Sequence, residues 1–296
     1  MNAPIQEVDD VRSRPWFEEL LYPDIRQSFR SEKTLVDTVT KIGHRIKIFE
    51  TIRFGLISTL DGIVQCIQAD EYIYHELLAH VPLCVLPQGS RVLIIGGASG
   101  AMAREVLRHN VSEVHMVDID EEFVLTCRTQ LVEIHQGAFF DRRLTLHFAE
   151  ANEWLARSKP LFDLIIVDSP DPVGPATSLF SANFYEACAN SLNSHGILVC
   201  QTGVPFLQED ELTKVTKSLA KLFPRVGCFR AATATCNGGD MTFAWASRGP
   251  DIANLDNEEI VRAKEVSTYT KYYCPQIHLA AFVVPKTIRR LCNYRP

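Results

Sequence analysis

The run Phe162-Asp163-Leu164-Ile165-Ile166-Val167 constrains this chain more than any other stretch. It is short, almost wholly apolar, and bounded by Lys159-Pro160 and Ser169-Pro170, which reads as a strand buried on both faces. Such strands belong to parallel sheets covered by helices. From Arg91 onward the pattern supplies the rest of that sheet, with strands predicted at 91–95, 114–118, 143–148, 162–168 and 196–201. Helices are predicted between them, near 100–109, 120–132, 150–157, 181–192 and 208–222. Val226–Ala231 and Met241–Ser247 then read as an antiparallel hairpin closing the far edge, around the loop Thr235-Cys236-Asn237-Gly238-Gly239. A charged peripheral helix is predicted over 250–267.

The N-terminal part follows another period. Thr34–Thr40, Arg45–Phe49, Leu56–Leu60 and Ile63–Ile67 read as strands, and Asp61-Gly62 is a two-residue hairpin signal. A helix from Glu71 to His80, ended by Pro82, links this part to the rest. The expected organisation is a tail over 1–15, a small antiparallel β-domain with its linking helix over 16–85, and an α/β domain over 86–296.

Composition narrows the function classes. With 46% hydrophobic and 22% charged residues among 296, the chain has the balance of a soluble globular protein. A net charge of −6 without long Lys/Arg clusters argues against nucleic acid and suits a cationic substrate. No stretch reaches the ~18 apolar residues of a membrane span, and Met1–Arg14 lacks the apolar core of a signal peptide. The nine cysteines form no Cys-x-x-Cys pair and no Cys/His cluster at zinc spacing. Reduced buried thiols, no metal and a cytoplasmic location are therefore expected.

Two motifs carry chemistry. Asp168-Ser169-Pro170-Asp171-Pro172 delivers two carboxylates at the carboxyl end of a predicted parallel strand, where open α/β folds build their sites. Two acids on a proline-stiffened loop can grip a cation and take its proton, although Asp in such a turn also serves as a local hydrogen-bond acceptor. Val92-Leu93-Ile94-Ile95-Gly96-Gly97-Ala98-Ser99-Gly100 is a strand, a glycine turn and a helix start. Asp118 ends the next strand some twenty residues on, where an acid can hold ribose hydroxyls. The Gly-Gly-x-x-Gly spacing suits a nucleoside without pyrophosphate, such as an S-adenosyl ligand, better than a dinucleotide. Three plainer readings stand beside these: a tight turn with no ligand, Ser99 as a helix cap, and Glu150 as a first-turn acid.

Together these pieces resemble the spermidine synthases, the polyamine aminopropyltransferases. The matching segments include Leu60-Asp61-Gly62, Asp70-Glu71-Tyr72-Ile73-Tyr74-His75-Glu76, His80-Val81-Pro82-Leu83, Val92–Gly97, Arg104–His109, Val117–Asp120, Asp168–Pro175, Thr242–Ala246 and Tyr272–His278. The resemblance implies a Rossmann-like seven-stranded sheet of the S-adenosyl-methyltransferase type behind the β-domain, and a homodimer or homotetramer. It implies a small-molecule amine held between the domains, with Asp168 as base, Tyr74 orienting it, and His75 and Asp171 helping to hold it. Gln201 falls on the substrate side. Adenosyl contacts would come from Gly96, Gly97, Asp118, Ile119, Glu150, Ala151 and Pro175.

Four departures fall on this site. Where the family carries Gly-Gly-Gly-Asp-Gly, this chain has Ser99 in place of the acid that would meet the donor's terminal ammonium. His44 stands for a Gln, Glu150-Ala151 for an Asp-Gly, and Cys236 for the Tyr of a substrate loop. The first expectation is aminopropyl transfer from decarboxylated S-adenosylmethionine to an amine such as putrescine. Loss of the acid at position 99 opens a second, in which intact S-adenosylmethionine supplies a methyl or aminocarboxypropyl group or is displaced internally at sulfur. A third is a non-catalytic binding paralogue, against which the retained Asp168, Asp171 and Tyr74 argue.

Overall fold

A computed structural model describes residues 14–157, 161–170, 174–237 and 239–292. The chain forms two compact units that divide between Asp70 and Glu71.

The first unit holds strands β1 (Trp16–Glu18) and β2 (Ser28–Arg30), a short antiparallel pair. An antiparallel four-stranded sheet follows, made of β3 (Lys33–Val39), β4 (Arg45–Thr51), β5 (Gly55–Leu60) and β6 (Ile63–Ile67). The hairpin at Asp61-Gly62 has φ of 52° and 80°, positive at both central residues, as a tight right-twisted hairpin requires. Phe29, Phe49, Ile57 and Ile67 form its core. β1 and β2 lie outside the predicted strands, since three residues are too few to show alternation.

The second unit opens with α1 (Glu71–Val85), which the sequence reading groups with the N-terminal strands. The helix also runs past Pro82 instead of ending before it. An interior proline costs about 3 kcal/mol. Against that, Leu77, Leu78, Val81, Leu83 and Cys84 are each at most 4% exposed, and a fully buried aliphatic side chain returns about 1.5–3 kcal/mol. Burial wins.

Strands and helices then alternate as the sequence predicts: β7 (Arg91–Gly96), α2 (Ala101–Leu107), β8 (Glu113–Asp118), α3 (Glu121–Gln130), α4 (Val132–His135), β9 (Leu144–Phe148), α5 (Ala151–Arg157) and β10 (Phe162–Asp168). After a 3-10 segment over Gly174–Phe180 come α6 (Ala182–Asn190), β11 (Leu192–Gln201), α7 (Glu209–Leu219), β12 (Arg225–Ala232) and β13 (Asp240–Ser247). The chain closes with α8 (Asn257–Val266), α9 (Pro275–Ala281) and α10 (Lys286–Leu291). α8 is shorter than the predicted 250–267 because Asp256 starts it with a reciprocal capping box to Glu259.

The seven strands lie in the order β12-β13-β11-β10-β7-β8-β9, with β13 antiparallel to both neighbours and the other pairs parallel. Successive connections leave β7 toward β8 and β9 on one side, then return to β10 and β11 on the other. The carboxyl ends of β7 and β10 are thus the topological switch point, where open α/β sheets bind ligands. Leu93, Ile95, Ile165, Val167 and Leu198 are buried beneath it. No helix among the described residues is long and apolar enough to cross a membrane.

Candidate active site

Asp168 is the last residue of β10, paired in register with Gly96 at the end of β7. The two backbones touch closely: a Cβ on Gly96 would lie 2.2 Å from the Asp168 carbonyl oxygen. Gly96 and Gly97 have φ of 83° and 82°, and the Gly97 N–H donates to that same carbonyl at 3.0 Å. Glycine is required here both for the left-handed backbone and for the approach. The turn fixes Asp168 from below.

α1 supplies the other side. The Tyr74 hydroxyl donates to Asp168 Oδ1 at 2.9 Å, and His75 Nε2 faces Oδ2 at 3.9 Å. Phe243 of β13 packs edge-on against the Tyr74 ring at 5.1 Å, which holds the phenol in place. The Asp168 side chain is 11% exposed. Burial raises its pKa above the ordinary aspartate value, and the nearby His75 and the Tyr74 hydrogen bond only partly oppose it. A carboxylate raised in this way is a stronger proton acceptor. The neighbouring Ser169 hydroxyl is buried with no hydrogen-bond partner among the described residues, a polar atom that a bound ligand could satisfy.

Beneath Tyr74 and His75 lies a charged network. Glu71, at the start of α1, meets His75 Nδ1 at 2.9 Å and takes both ends of the Arg104 guanidinium at 2.8 and 2.9 Å. Arg104 also bonds Glu105, which meets His80 and Arg108 at 3.0 and 2.8 Å. Burial works against the Glu105 carboxylate, yet His80, Arg104 and Arg108 hold it down at about 2. Glu76 accepts from three successive backbone N–H groups, of Lys271, Tyr272 and Tyr273, at 2.7–2.8 Å.

Ser99, Asp118 and Glu150 lie just past or at the carboxyl ends of β7, β8 and β9, in a row along the switch-point edge. The Ser99 hydroxyl accepts from the Ala101 N–H at 3.3 Å, at the start of α2. Asp118 Oδ1 accepts from the Asp120 N–H at 2.9 Å, and Ile119 beside it is exposed. Glu150 Oε2 accepts from the Glu153 N–H and its Oε1 from Asn152 and Ser178, so this carboxylate caps α5, with Ala151 buried next to it. The Gln201 carboxamide donates to the carbonyls of Ser169 and Pro170 and accepts from Gly203, a clamp on the loop after Asp168. Cys236 is half-buried between β12 and β13. Pro175 lies in the 3-10 segment, and Asp171 falls outside the described residues. His44, in the first unit, is buried before β4, its backbone bonded to Thr40.

The sequence names Glu71, Arg104 and Glu76 only within the matching segments and gives them no role of their own. Only the first had a local signal, an acid four residues before His75 on one helix face. Among the described residues, no three His, Cys, Asp or Glu side chains converge to hold a metal ion.

Comparison with known proteins extends this picture. Residues 71–257 match the model of the spermine/spermidine synthase domain. The chain is 40% identical over 279 residues to a polyamine aminopropyltransferase of Pseudomonas syringae pv. tomato, covering 94% of this chain and 97% of that protein. It is 41% identical over 274 residues to polyamine aminopropyltransferase 1 of Pseudomonas aeruginosa, covering 92% and 96%. A crystal structure of a spermidine synthase in complex with the transition-state analogue AdoDATO superposes with a TM-score of 0.89 at 29% identity, over 95% of this chain and 96% of that one. With its sheet, its switch-point aspartate and these likenesses agreeing, the chain belongs to the spermine/spermidine synthase family of enzymes.

Proposed function

We propose that this enzyme transfers an aminopropyl group from decarboxylated S-adenosylmethionine to a primary amine such as putrescine, with Asp168 as general base. The observation that carries this reading is the pairing of a buried, pKa-raised carboxylate with Tyr74 at one oxygen and His75 facing the other. A protonated amine has no lone pair and cannot attack carbon. Asp168 must take a proton as the C–N bond forms, which is a general-base contribution of roughly 10²–10⁴-fold. The donor supplies a carbon activated by its bond to a sulfonium. The protein's own part is then to orient the amine, through Tyr74 and His75, and to hold the base where the Gly96-Gly97 turn fixes it.

The Gly96-Gly97 turn, whose own residues carry no side chain, and Asp118 favour an adenosyl ligand along the ends of β7 and β8. Ser99 supports a second reading, in which the donor is intact S-adenosylmethionine, because a hydroxyl at this position does not repel a carboxylate.

Asp168→Asn tests the base. The amide keeps the shape and can still accept from Tyr74, so donor binding by calorimetry should stay within a few-fold while turnover falls roughly 10²–10⁴-fold. Turnover within a few-fold of wild type near neutral pH would remove Asp168 from this role. Mass spectrometry of the products formed from each donor, with putrescine, spermidine or no acceptor, identifies the group transferred.

A further inference from the structure

His75 Nδ1 lies 2.7 Å from the Glu71 carbonyl oxygen and 2.9 Å from its carboxylate Oε2. The carbonyl oxygen can only accept, and so can the carboxylate once ionised, so Nδ1 carries the hydrogen. In neutral His75 the lone pair is then on Nε2, the atom that faces Asp168 Oδ2 at 3.9 Å. That distance is too long for a direct hydrogen bond, so a proton passing between the two atoms needs one intervening water. Glu71 is itself fixed: each of its oxygens takes one prong of the Arg104 fork, and Arg104 is secured by Glu105 and the Ile134 carbonyl. Glu71, His75 and Arg104 are 8%, 6% and 6% exposed, so water does little to loosen the arrangement.

We propose that Glu71, held by Arg104, is a positioning residue for proton removal: it fixes His75 with its Nε2 lone pair toward Asp168, so that His75 receives the proton Asp168 takes from the amine. The transfers balance. An amine N–H bond breaks as an Asp168 O–H bond forms; that O–H bond breaks as its proton passes to a water between the two side chains, which gives up another proton to form Nε2–H; and the imidazolium releases a proton to solvent before the next turnover. The inference rests on Asp168 as the base.

The charges around His75 agree with this role. Glu71 on its own helix and Asp168 on β10 favour a second proton, whereas Arg104 on α2 and burial oppose it; Tyr74, beside it on α1, points its hydroxyl to Asp168. Burial is the largest influence, yet the acids prevail and the pKa lies above the ordinary histidine value. Glu71, despite burial, is held below the usual glutamate value by His75 and Arg104, which keeps it an acceptor.

Two measurements test the relay. In the wild-type protein, the ¹⁵N signals of His75, assigned by their loss in His75→Gln, should show Nδ1–H and an unprotonated Nε2 above its pKa. An Nε2–H tautomer would overturn the proposal even if no Glu71 variant folds. In Glu71→Gln the charge behind His75 is gone. The acidic limb of the pH profile should move to lower pH and kcat should fall about tenfold, with the amine KM within about twofold. A purely structural Glu71 would lower stability or scale the whole profile without moving that limb, and that result refutes the relay. Arg104→Lys, which keeps the charge but loses the fork, should move the limb the same way by less; an unmoved or opposite limb counts against the proposal. If Asp168→Asn retains turnover, the base assignment itself fails; if it is inactive while Glu71→Gln leaves the limb unmoved, only the relay fails.

Discussion

Ser99→Asp is the substitution that reads the donor's tail. Ser99 is half-buried three residues after β7 ends, and its hydroxyl accepts from the Ala101 N–H at 3.3 Å. Aspartate accepts in the same place and is as good at a helix start, so the change should leave folding intact. Under the proposed aminopropyl transfer, its new charge would meet the ammonium at the end of the donor's aminopropyl chain. At about 4 Å in a site with an effective dielectric near ~20, the Coulomb attraction is of order 4 kcal/mol. Desolvation removes part of it, leaving about 1–3 kcal/mol, or roughly 5- to 150-fold in affinity.

Calorimetric titration of wild type and variant with both donors is the assay, with thermal unfolding as a control for folding. Decarboxylated S-adenosylmethionine should bind more tightly to the variant. Intact S-adenosylmethionine should bind more weakly, because its carboxylate would face a second anion. Unchanged affinity for both would mean that Ser99 only caps α2, and the reasoning about the missing acid would fall. The wild type should prefer the decarboxylated donor; a preference for the intact one would favour the second reading.

Two further outcomes concern the scaffold. His278 is fully buried, with Nε2 on the Ile252 carbonyl at 2.9 Å and Nδ1 on the Tyr273 hydroxyl at 2.8 Å, and burial pushes its pKa down to about 4 from 6.5. The unfolded chain therefore binds a proton that the folded chain refuses between those values, so stability is lost as pH falls from 6.5 toward 4, about 3 kcal/mol in all. His278→Gln should flatten that part of the urea-unfolding profile by about one proton, and an identical pH dependence would refute the assignment. Glu76→Gln replaces a carboxylate that serves three N–H groups with an amide whose NH₂ cannot accept, and should cost about 3 kcal/mol in chemical denaturation; a loss below about 1 kcal/mol would show that water or a shifted loop takes over those donors.

What was legible in the sequence follows from range. The Asp61-Gly62 turn, the alternation from Arg91 to Gln201 and the hairpin after it depend on neighbours within a few residues, and they stand where the periodicity puts them. Pro82 misleads because its local penalty is outweighed by tertiary burial that no local window contains. Asp168, Tyr74 and His75 were named from sequence, yet their meeting needs contacts across 94 positions. The support for His75 was hidden for the same reason: Glu71 and Arg104 are 33 positions apart, and Glu76 and the Lys271 segment 195. Glu150 and Gln201 show the converse. Their residue types suit ligands, while their polar atoms in the described structure are engaged with backbone and neighbouring side chains.

The organisation of the site explains why so much charge is buried around one aspartate. Burial raises the pKa of the Asp168 carboxyl, while His75 and the Tyr74 hydrogen bond favour its ionised form. In the proposed role as base, too strong a positive partner would hold it ionised but weaken it as a proton acceptor. His75 sits between these limits because its charge is itself conditional, set by Glu71 on one side and Arg104 on the other. Tyr74 adds a neutral donor that favours the ionised form without fixing a full charge beside it. The same short helix thus supplies the groups that shape Asp168 and, through Glu76, the anchor for the Lys271–Tyr273 segment. The surroundings of Asp168 and the packing of the second unit are consequently linked through α1, and a change meant to retune one acts on the other through the buried pairs they share.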